Sequence, residues 1–341
     1  MTNDALDALA LRMLAPLDAA RAFMLRCAGP RLGPLLARPA LRHAVLGSAG
    51  VVVAFVLSTT ALVWLLALGP LVLGVPHLLA DLRYLVIQPG LSRRPSVRAL
   101  VLAPLLLTPL VLTRALPLLS LTGALVIASS LVARGTRPRR IASGVAGASI
   151  VTVGFVAGHV GAVVFAHLHH VIALGAWWSM RRDRGVVEAL VPALVALGAL
   201  VAGVGLLDDR LPDLLVSSAD LLSPELLLAT LTPDPSTPSS LRWVWLYAFG
   251  QSVHYLVWLR LVPDDRRGRP APRPFSSSYR ALRAELGTCG LTAAVAIALG
   301  LLAYALRGLD AARGAYLQLA LFHGPLEVAL LALALAERRR P

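Results

Sequence analysis

Apolar residues run in long blocks along almost the whole chain, broken by short polar or arginine-rich stretches. A helix rising 1.5 Å per residue needs roughly 17 to 25 such residues to cross about 30 Å of hydrocarbon. On that criterion the pattern predicts ten spans, at 45–68, 70–88, 98–113, 116–133, 141–158, 160–178, 186–206, 241–262, 285–306 and 315–336. Some joins are very short, among them Gly69-Pro70 and the stretch from Arg114 to Pro117. The expected fold is all-α: a polytopic transmembrane helix bundle of about ten spans. An N-terminal arm (1–44) precedes spans 1–7 (45–206), an acidic loop (207–240) follows, and spans 8–10 (241–336) enclose a basic loop (263–284) before a basic tail (337–341). Within the acidic loop, Leu211 to Leu231 reads equally well as a short surface helix or as a solvated, proline-rich linker. No internal repeat points to a protein built from two halves.

Composition agrees with that pattern. Apolar residues make up 57% of the 341 and charged residues only 15%, against about 25% in soluble domains. This excludes an ordinary cytosolic enzyme, a nucleic-acid module and a disordered tail. The net charge is +14, and all 32 basic residues are arginine, a usage expected of GC-rich bacterial coding. In a membrane protein these arginines read as topology signals. They fill the N-terminal arm (Arg21, Arg26, Arg31, Arg38, Arg42) and then every second connection: Arg93, Arg94 and Arg98; Arg134, Arg137, Arg139 and Arg140; Arg181, Arg182 and Arg184; Arg266, Arg267, Arg269 and Arg273; and the terminal Arg338 to Arg340. The opposite loop carries Asp208, Asp209, Asp213, Asp220, Glu225 and Asp234 against a single Arg210. Both termini are therefore expected in the cytoplasm, and the protein in a bacterial cytoplasmic membrane. No cleavable signal peptide is expected, because Asp4, Asp7 and Asp18 interrupt the first twenty residues. Cys27 and Cys289 match no metal-binding or redox spacing.

The candidate chemistry lies in the histidines. His43 sits among arginines and reads as interfacial. Ionisable groups inside the bilayer are costly and by default face the bundle interior. His77, His167, His170, His254 and His323 fall on four predicted helices at roughly 10 to 20 Å below the outer surface, counting 1.5 Å per residue. Imidazoles converging at one height are what a metal site in a helix bundle requires, and these five form the candidate ligand set. Asp81 lies four residues after His77 and Glu327 four after His323, so each carboxylate shares a helix face with its histidine. Such groups act as further ligands or hold the imidazole tautomer. Gln251 precedes His254 by three residues. His169 points about a third of a turn away from the His167 and His170 face and is set beside the site, as is His159 at the outer helix turn. Asp81 has Arg83 and Arg260 as alternative partners, and the Trp177-Trp178 pair, Trp243 and Trp245 read as interface anchors.

Gly74-Val75-Pro76-His77 with Asp81 resembles the G-x-P-H-x-x-x-D motif of the bacterial Brp/Blh family, multi-span membrane enzymes that cleave β-carotene to retinal with histidine-bound iron. Gly158-His159-Val160-Gly161 is similar to that family's H-F-G element. His254 falls where the family carries H-x-x-x-H, with Trp258 in place of the second histidine, and His323-Gly324-Pro325 has no counterpart there. The resemblance implies non-haem iron, dioxygenase chemistry and a carotenoid-like substrate. The residues by themselves fit a histidine-bound metal, such as non-haem iron, acting on a hydrophobic lipid or isoprenoid that enters from the lipid bilayer, with no nucleic-acid partner. Fatty-acid desaturases are a weaker comparison, since His167-Leu168-His169-His170 is a single box on the other face. Two further classes stay open. One is an electron carrier with non-covalent haem b between two histidines such as His77 and His170, there being no C-x-x-C-H. The other is a transporter or proton relay using the buried histidines and carboxylates.

Overall fold

The computed structural model describes residues 3–32, 38–180, 185, 187–216, 221–266 and 274–337. Arg181, Arg182, Arg184, Asp220, Arg267, Arg269, Arg273 and the tail from Arg338 onward lie outside the described residues. Among those described the chain is helical throughout, with no strand. In order come α1 (Asn3–Ala28), α2 (Pro39–Thr60), α3 (Leu62–Asp81), α4 (Pro95–Leu112), α5 (Leu118–Val132), α6 (Arg137–Met180), α7 (Leu190–Gly203), α8 (Leu211–Val216), α9 (Pro224–Leu231), α10 (Ser240–Leu256), α11 (Phe275–Ala305), α12 (Leu309–Ala320) and α13 (His323–Glu337). Two helices continue past their last α-turn in the wider π geometry: α3 through Leu82–Ile87 and α10 through Val257–Leu261.

Six helical stretches are long and apolar enough to cross a membrane: Pro39–Thr60, Leu62–Ile87, Pro95–Leu112, Arg137–Ser179, Phe275–Ala305 and Leu309–Glu337. Leu118–Val132 and Leu190–Gly203 are shorter apolar helices. The outward faces are apolar as well, with Val53, Leu106, Val156, Leu299 and Leu302 exposed, as a bundle in contact with lipid requires. Helix α6 would run about 65 Å if straight, twice the hydrocarbon thickness. It reverses instead at Gly158, whose φ of +51° is open to glycine at little cost. Arg139, Ala142 and Ala146 consequently share one cavity wall with Gly175, Ala176 and Ser179. The first half of α6 packs closely on α5 through small residues. A Cβ on Gly123 would lie 2.6 Å from the Gly147 carbonyl, and the Ser120 hydroxyl donates to the Val151 carbonyl at 3.0 Å.

Two boundaries differ from the sequence reading. The first break falls at Ala61 (φ −143°), and Gly69-Pro70 lies inside α3. Pro70 has no N–H to bond the Leu66 carbonyl, a loss that normally bends a helix. Here the Arg313 Nε donates to that carbonyl at 3.0 Å and the helix runs on. The region read as one span at 315–336 is two helices, α12 and α13, parted at Leu321 and Phe322, where Pro325 leaves the Leu321 carbonyl without its helical donor. Of the two readings for the acidic loop, the helical one describes the fold: α8 and α9 pack inward through Leu211, Leu215, Leu227 and Leu231. Ser223 caps α9 by accepting from the Leu226 N–H at 3.1 Å, with Pro224 in the first turn.

His43 is not interfacial. It is 1% exposed, with Nε2 3.0 Å from Asp264 and 3.3 Å from Asp265, while the Arg42 Nε donates to Asp264 at 2.6 Å and the Trp177 indole to Asp265 at 2.7 Å. Trp177, read as an interface anchor, is fully buried in this knot because its indole N–H needs a partner inside the bundle. Helix α1 docks on α11. Asp7 meets Tyr279 and Arg283, Asp18 accepts from the Phe275 and Ser276 N–H groups, and Arg21 lies over the Phe275 ring. The hydrogen bond from the Ser276 side chain is the main influence holding Asp18 below the ordinary carboxylate range. A lowered folded pKa stabilises docking above the ordinary carboxylate value and ceases to do so as pH falls through the lowered one. Asp18→Asn is therefore expected to speed hydrogen–deuterium exchange across Asn3–Ala28 at neutral pH, whereas the unsubstituted chain loosens there only in acid.

Candidate metal centre

Four helices bring ionisable side chains to one point. On α3, His77 and Asp81 are one turn apart and buried, with His77 Nε2 3.5 Å from Asp81 Oδ2. Gly74, three residues before His77, lies against Tyr316. A Cβ there would meet the tyrosine ring at 2.2 Å, so only glycine lets α12 approach at this level. The second half of α6 supplies His169, α10 supplies His254, and α13 supplies His323 and Glu327. His77 and His254 are joined Nε2 to Nε2 at 2.9 Å. The other close approaches are His323 Nδ1 to Asp81 Oδ2 at 3.4 Å and His169 Nδ1 to Glu327 Oε2 at 3.4 Å.

Two overlapping groups have ligand atoms within 4.8 Å of one another: His169, His254, His323 and Glu327; and His77, Asp81 and His323. All six residues are buried. Seven of their atoms make no hydrogen bond of acceptable geometry: both oxygens of Asp81, both of Glu327, and Nδ1 of His169, His254 and His323. The Trp258 indole faces Glu327 but is likewise without a well-formed bond. Buried polar atoms in folded proteins are almost always paired. Unbonded imidazole nitrogens and carboxylate oxygens on residues that each bring a ligand atom within 4.8 Å of the others in their group match the donor set of a divalent metal.

The residues read as ligands divide. His77, His254 and His323 meet, with Asp81 and Glu327 among them. His170 touches the rings of His254 and His169, at 5.4 and 5.1 Å between centroids, yet belongs to neither ligand group. His167 faces away. Its Nδ1 lies 2.9 Å from the Val163 carbonyl and its Nε2 3.0 Å from the Trp243 carbonyl, so both nitrogens are turned to the backbone rather than to the cluster. His159 Nε2 bonds the Thr232 carbonyl at 3.3 Å, tying the Gly158 reversal to the end of α9. Gln251 is buried and lines the cavity beside His254. Asp81 keeps clear of both arginines, because Arg83 pairs with Glu285 at 2.6 Å and Arg260 with Asp264 at 3.4 Å.

His169 takes the place that the sequence reading gave to His167. The signal for it is in the sequence: Phe165, His169, Ala173 and Trp177 recur every fourth residue and are all buried, while Leu168 and Val171 are exposed. That stripe, rather than the His167 and His170 pairing, marks the inward face. A cavity of about 380 Å³ opens on the cluster, lined by His77, His169, His170, His254 and His323 together with Tyr247, Tyr255, Arg313 and Tyr316. Leu226, Thr230 and Leu231 of α9 form part of its wall.

Comparison with protein-family models, with curated proteins and with solved structures finds no match. The orphaned atoms make a direct prediction. Glu327→Gln and His323→Ala are each expected to lower the metal content of the purified protein about ten-fold or more, whereas His167→Ala leaves it unchanged, with metal measured by elemental analysis and helicity by circular dichroism.

Proposed function

We propose that the chain is a membrane-embedded oxygenase in which histidine-bound non-haem iron acts with dioxygen on a hydrophobic lipid or isoprenoid, carotenoids included. The observation that carries this reading is the set of seven buried, unbonded nitrogen and carboxylate oxygen atoms converging from four helices. His169, His254, His323 and Glu327 would hold the ion, with His77 and Asp81 as the adjoining group that shares His323. Bound iron with open positions supplies dioxygen activation, which these side chains cannot perform alone. The protein's own part is to exclude water and to orient. Val257 and Trp258, one turn after His254, are fully buried, and Tyr255 stands 5.1 Å from the His77 ring on the cavity side. Ring packing favours an ion over haem b: neighbouring imidazoles lie 4.3 to 5.5 Å apart between centroids, mostly edge to face, with no slot for a macrocycle between them. The resemblance of Gly74 to Asp81 to the Brp/Blh motif points the same way.

The arrangement in the membrane belongs to the same proposal: about ten crossings, both termini cytoplasmic, in a bacterial cytoplasmic membrane. It rests on the arginine-rich alternate connections and on the Gly158 reversal, which makes α6 two crossings rather than one. Protein purified anaerobically in detergent is expected to carry near-stoichiometric iron, to show no Soret band, and to consume dioxygen when given an apolar polyene or lipid. His77→Ala should lose that iron without loss of helicity. A Soret band, or iron-free protein after anaerobic purification, overturns the reading.

A further inference from the structure

Arg313 is 3% exposed and lines the cavity that opens on the histidines. Its Nε is spent on the Leu66 carbonyl that Pro70 leaves free, but its Nη2 is buried with no hydrogen-bond partner. Repair of a proline gap explains one donor of a five-donor fork, not a guanidinium. Asp310, one turn earlier on α12, accepts from the Ser223 N–H at 3.0 Å and lies near enough to Arg313 to act on its charge, but no hydrogen bond or close ion pair joins the two among the described residues. A buried cation with no carboxylate hydrogen-bonded to it is costly, and a partner that arrives with a ligand removes that cost. Arg313 is also the only permanently charged side chain among the described residues lining this cavity. Around it stand Tyr247, Tyr255 and Tyr316, and the remaining wall is largely apolar, through Leu118, Leu226 and Leu317.

We infer that Arg313 receives the carboxylate of a single-chain amphiphile, whose apolar tail leaves along the leucine-lined part of the cavity. A monoanion fits because one guanidinium edge is available with no second cation beside it. A diphosphate, with more charge, would call for several. The volume, about 380 Å³, is at the small end of ligand pockets, which run from about 300 to 1,000 Å³. Tyr255 lies between the two features, near Arg313 on one side and 5.1 Å from the His77 ring on the other. The head group therefore sits close to the metal centre, and the carbons nearest the carboxylate are the ones presented to it. The inference rests on the oxygenase reading for the chemistry that follows, not for binding itself.

The test is binding of radiolabelled palmitate to the full-length purified protein, competed with unlabelled palmitate, hexadecanol or hexadecyl phosphate. Palmitate is expected to compete at least ten-fold better than hexadecanol, Arg313→Gln to abolish that preference, and Arg313→Lys to keep part of it. Gly314→Leu guards against a folding defect in Arg313→Gln. A side chain at Gly314 meets open space, so the variant should fold while blocking palmitate. Equal competition by palmitate and hexadecanol, an unchanged preference in Arg313→Gln, or hexadecyl phosphate as the best competitor each overturns the inference. Palmitate preference in a protein that carries no iron would sink the oxygenase reading alone, and iron without the preference would sink this one alone.

Discussion

Two carboxylates and four imidazoles packed together in an apolar bundle are the constraint around which the rest of the molecule is organised. Asp81 and Glu327 are 7% and 1% exposed, and neither has an arginine beside it. An ionised carboxylate left so would be penalised by several kcal/mol, and the surrounding rings are themselves short of donors and acceptors. A cation shared among them relieves both deficits at once. Protons are the other way to relieve them, one shared between His169 and Glu327 and one between His323 and Asp81. The burial that makes the cluster costly when empty also keeps water from it when filled.

The helices that carry the cluster are the irregular ones, for reasons found in single residues. Helix α3 holds Pro70 and Pro76 and passes into a π-helical stretch directly after Asp81, and α10 does the same three residues after His254. Helix α13 begins at His323 after a break, with Pro325 in its first turn. An interior proline costs a helix about 3 kcal/mol when nothing replaces its bond, and π-turns cluster at functional sites. Each distortion re-aims a side chain or frees a carbonyl, and at Leu66 the freed carbonyl is what anchors Arg313. Gly74 completes the set by letting the Tyr316 ring lie directly on α3. The polar knot of Arg42, His43 and Asp264 has the opposite character, since its charges are neutralised within the chain.

Much of this was legible in the sequence, and the misreadings share a cause. Hydropathy alone identifies an all-helical chain with apolar, membrane-length helices, and i,i+4 spacing links His77 to Asp81 and His323 to Glu327. Those local relations hold in the folded protein because they depend on helix periodicity only. The break at Ala61 and the continuity through Pro70 were not legible, because the residue that bonds the carbonyl Pro70 leaves free, Arg313, lies 247 positions after Leu66. The exchange of His167 for His169 has a similar origin. Three histidines within four residues cover most of a helix circumference, and which faces inward is decided by the stripe from Phe165 to Trp177 packing on other helices. His43 was misread because its acidic partners come from Val262–Asp265, the short helical turn that follows the π extension of α10 and lies far along the chain, Asp264 coming 222 positions after Arg42.

Access to the cluster bears on whether such a site performs chemistry or passes protons. A relay needs polar contact on both sides of the membrane. On one side of the histidines the cavity is open to Arg313 and three tyrosines. On the other, Val257, Trp258 and Leu261 of the α10 extension are almost wholly buried, with Trp177 beyond them. A second cavity, of about 590 Å³, lies on that side and is lined by Ala80, Arg83, Gln88, Trp258 and Arg266, with Arg83 paired to Glu285. The four histidines of the cluster line the first cavity, and among the described residues none of the six cluster side chains lines the second. The centre is therefore arranged as a pocket reached from the side of Arg313 and the tyrosines, into which a substrate enters and from which its product leaves by the same route.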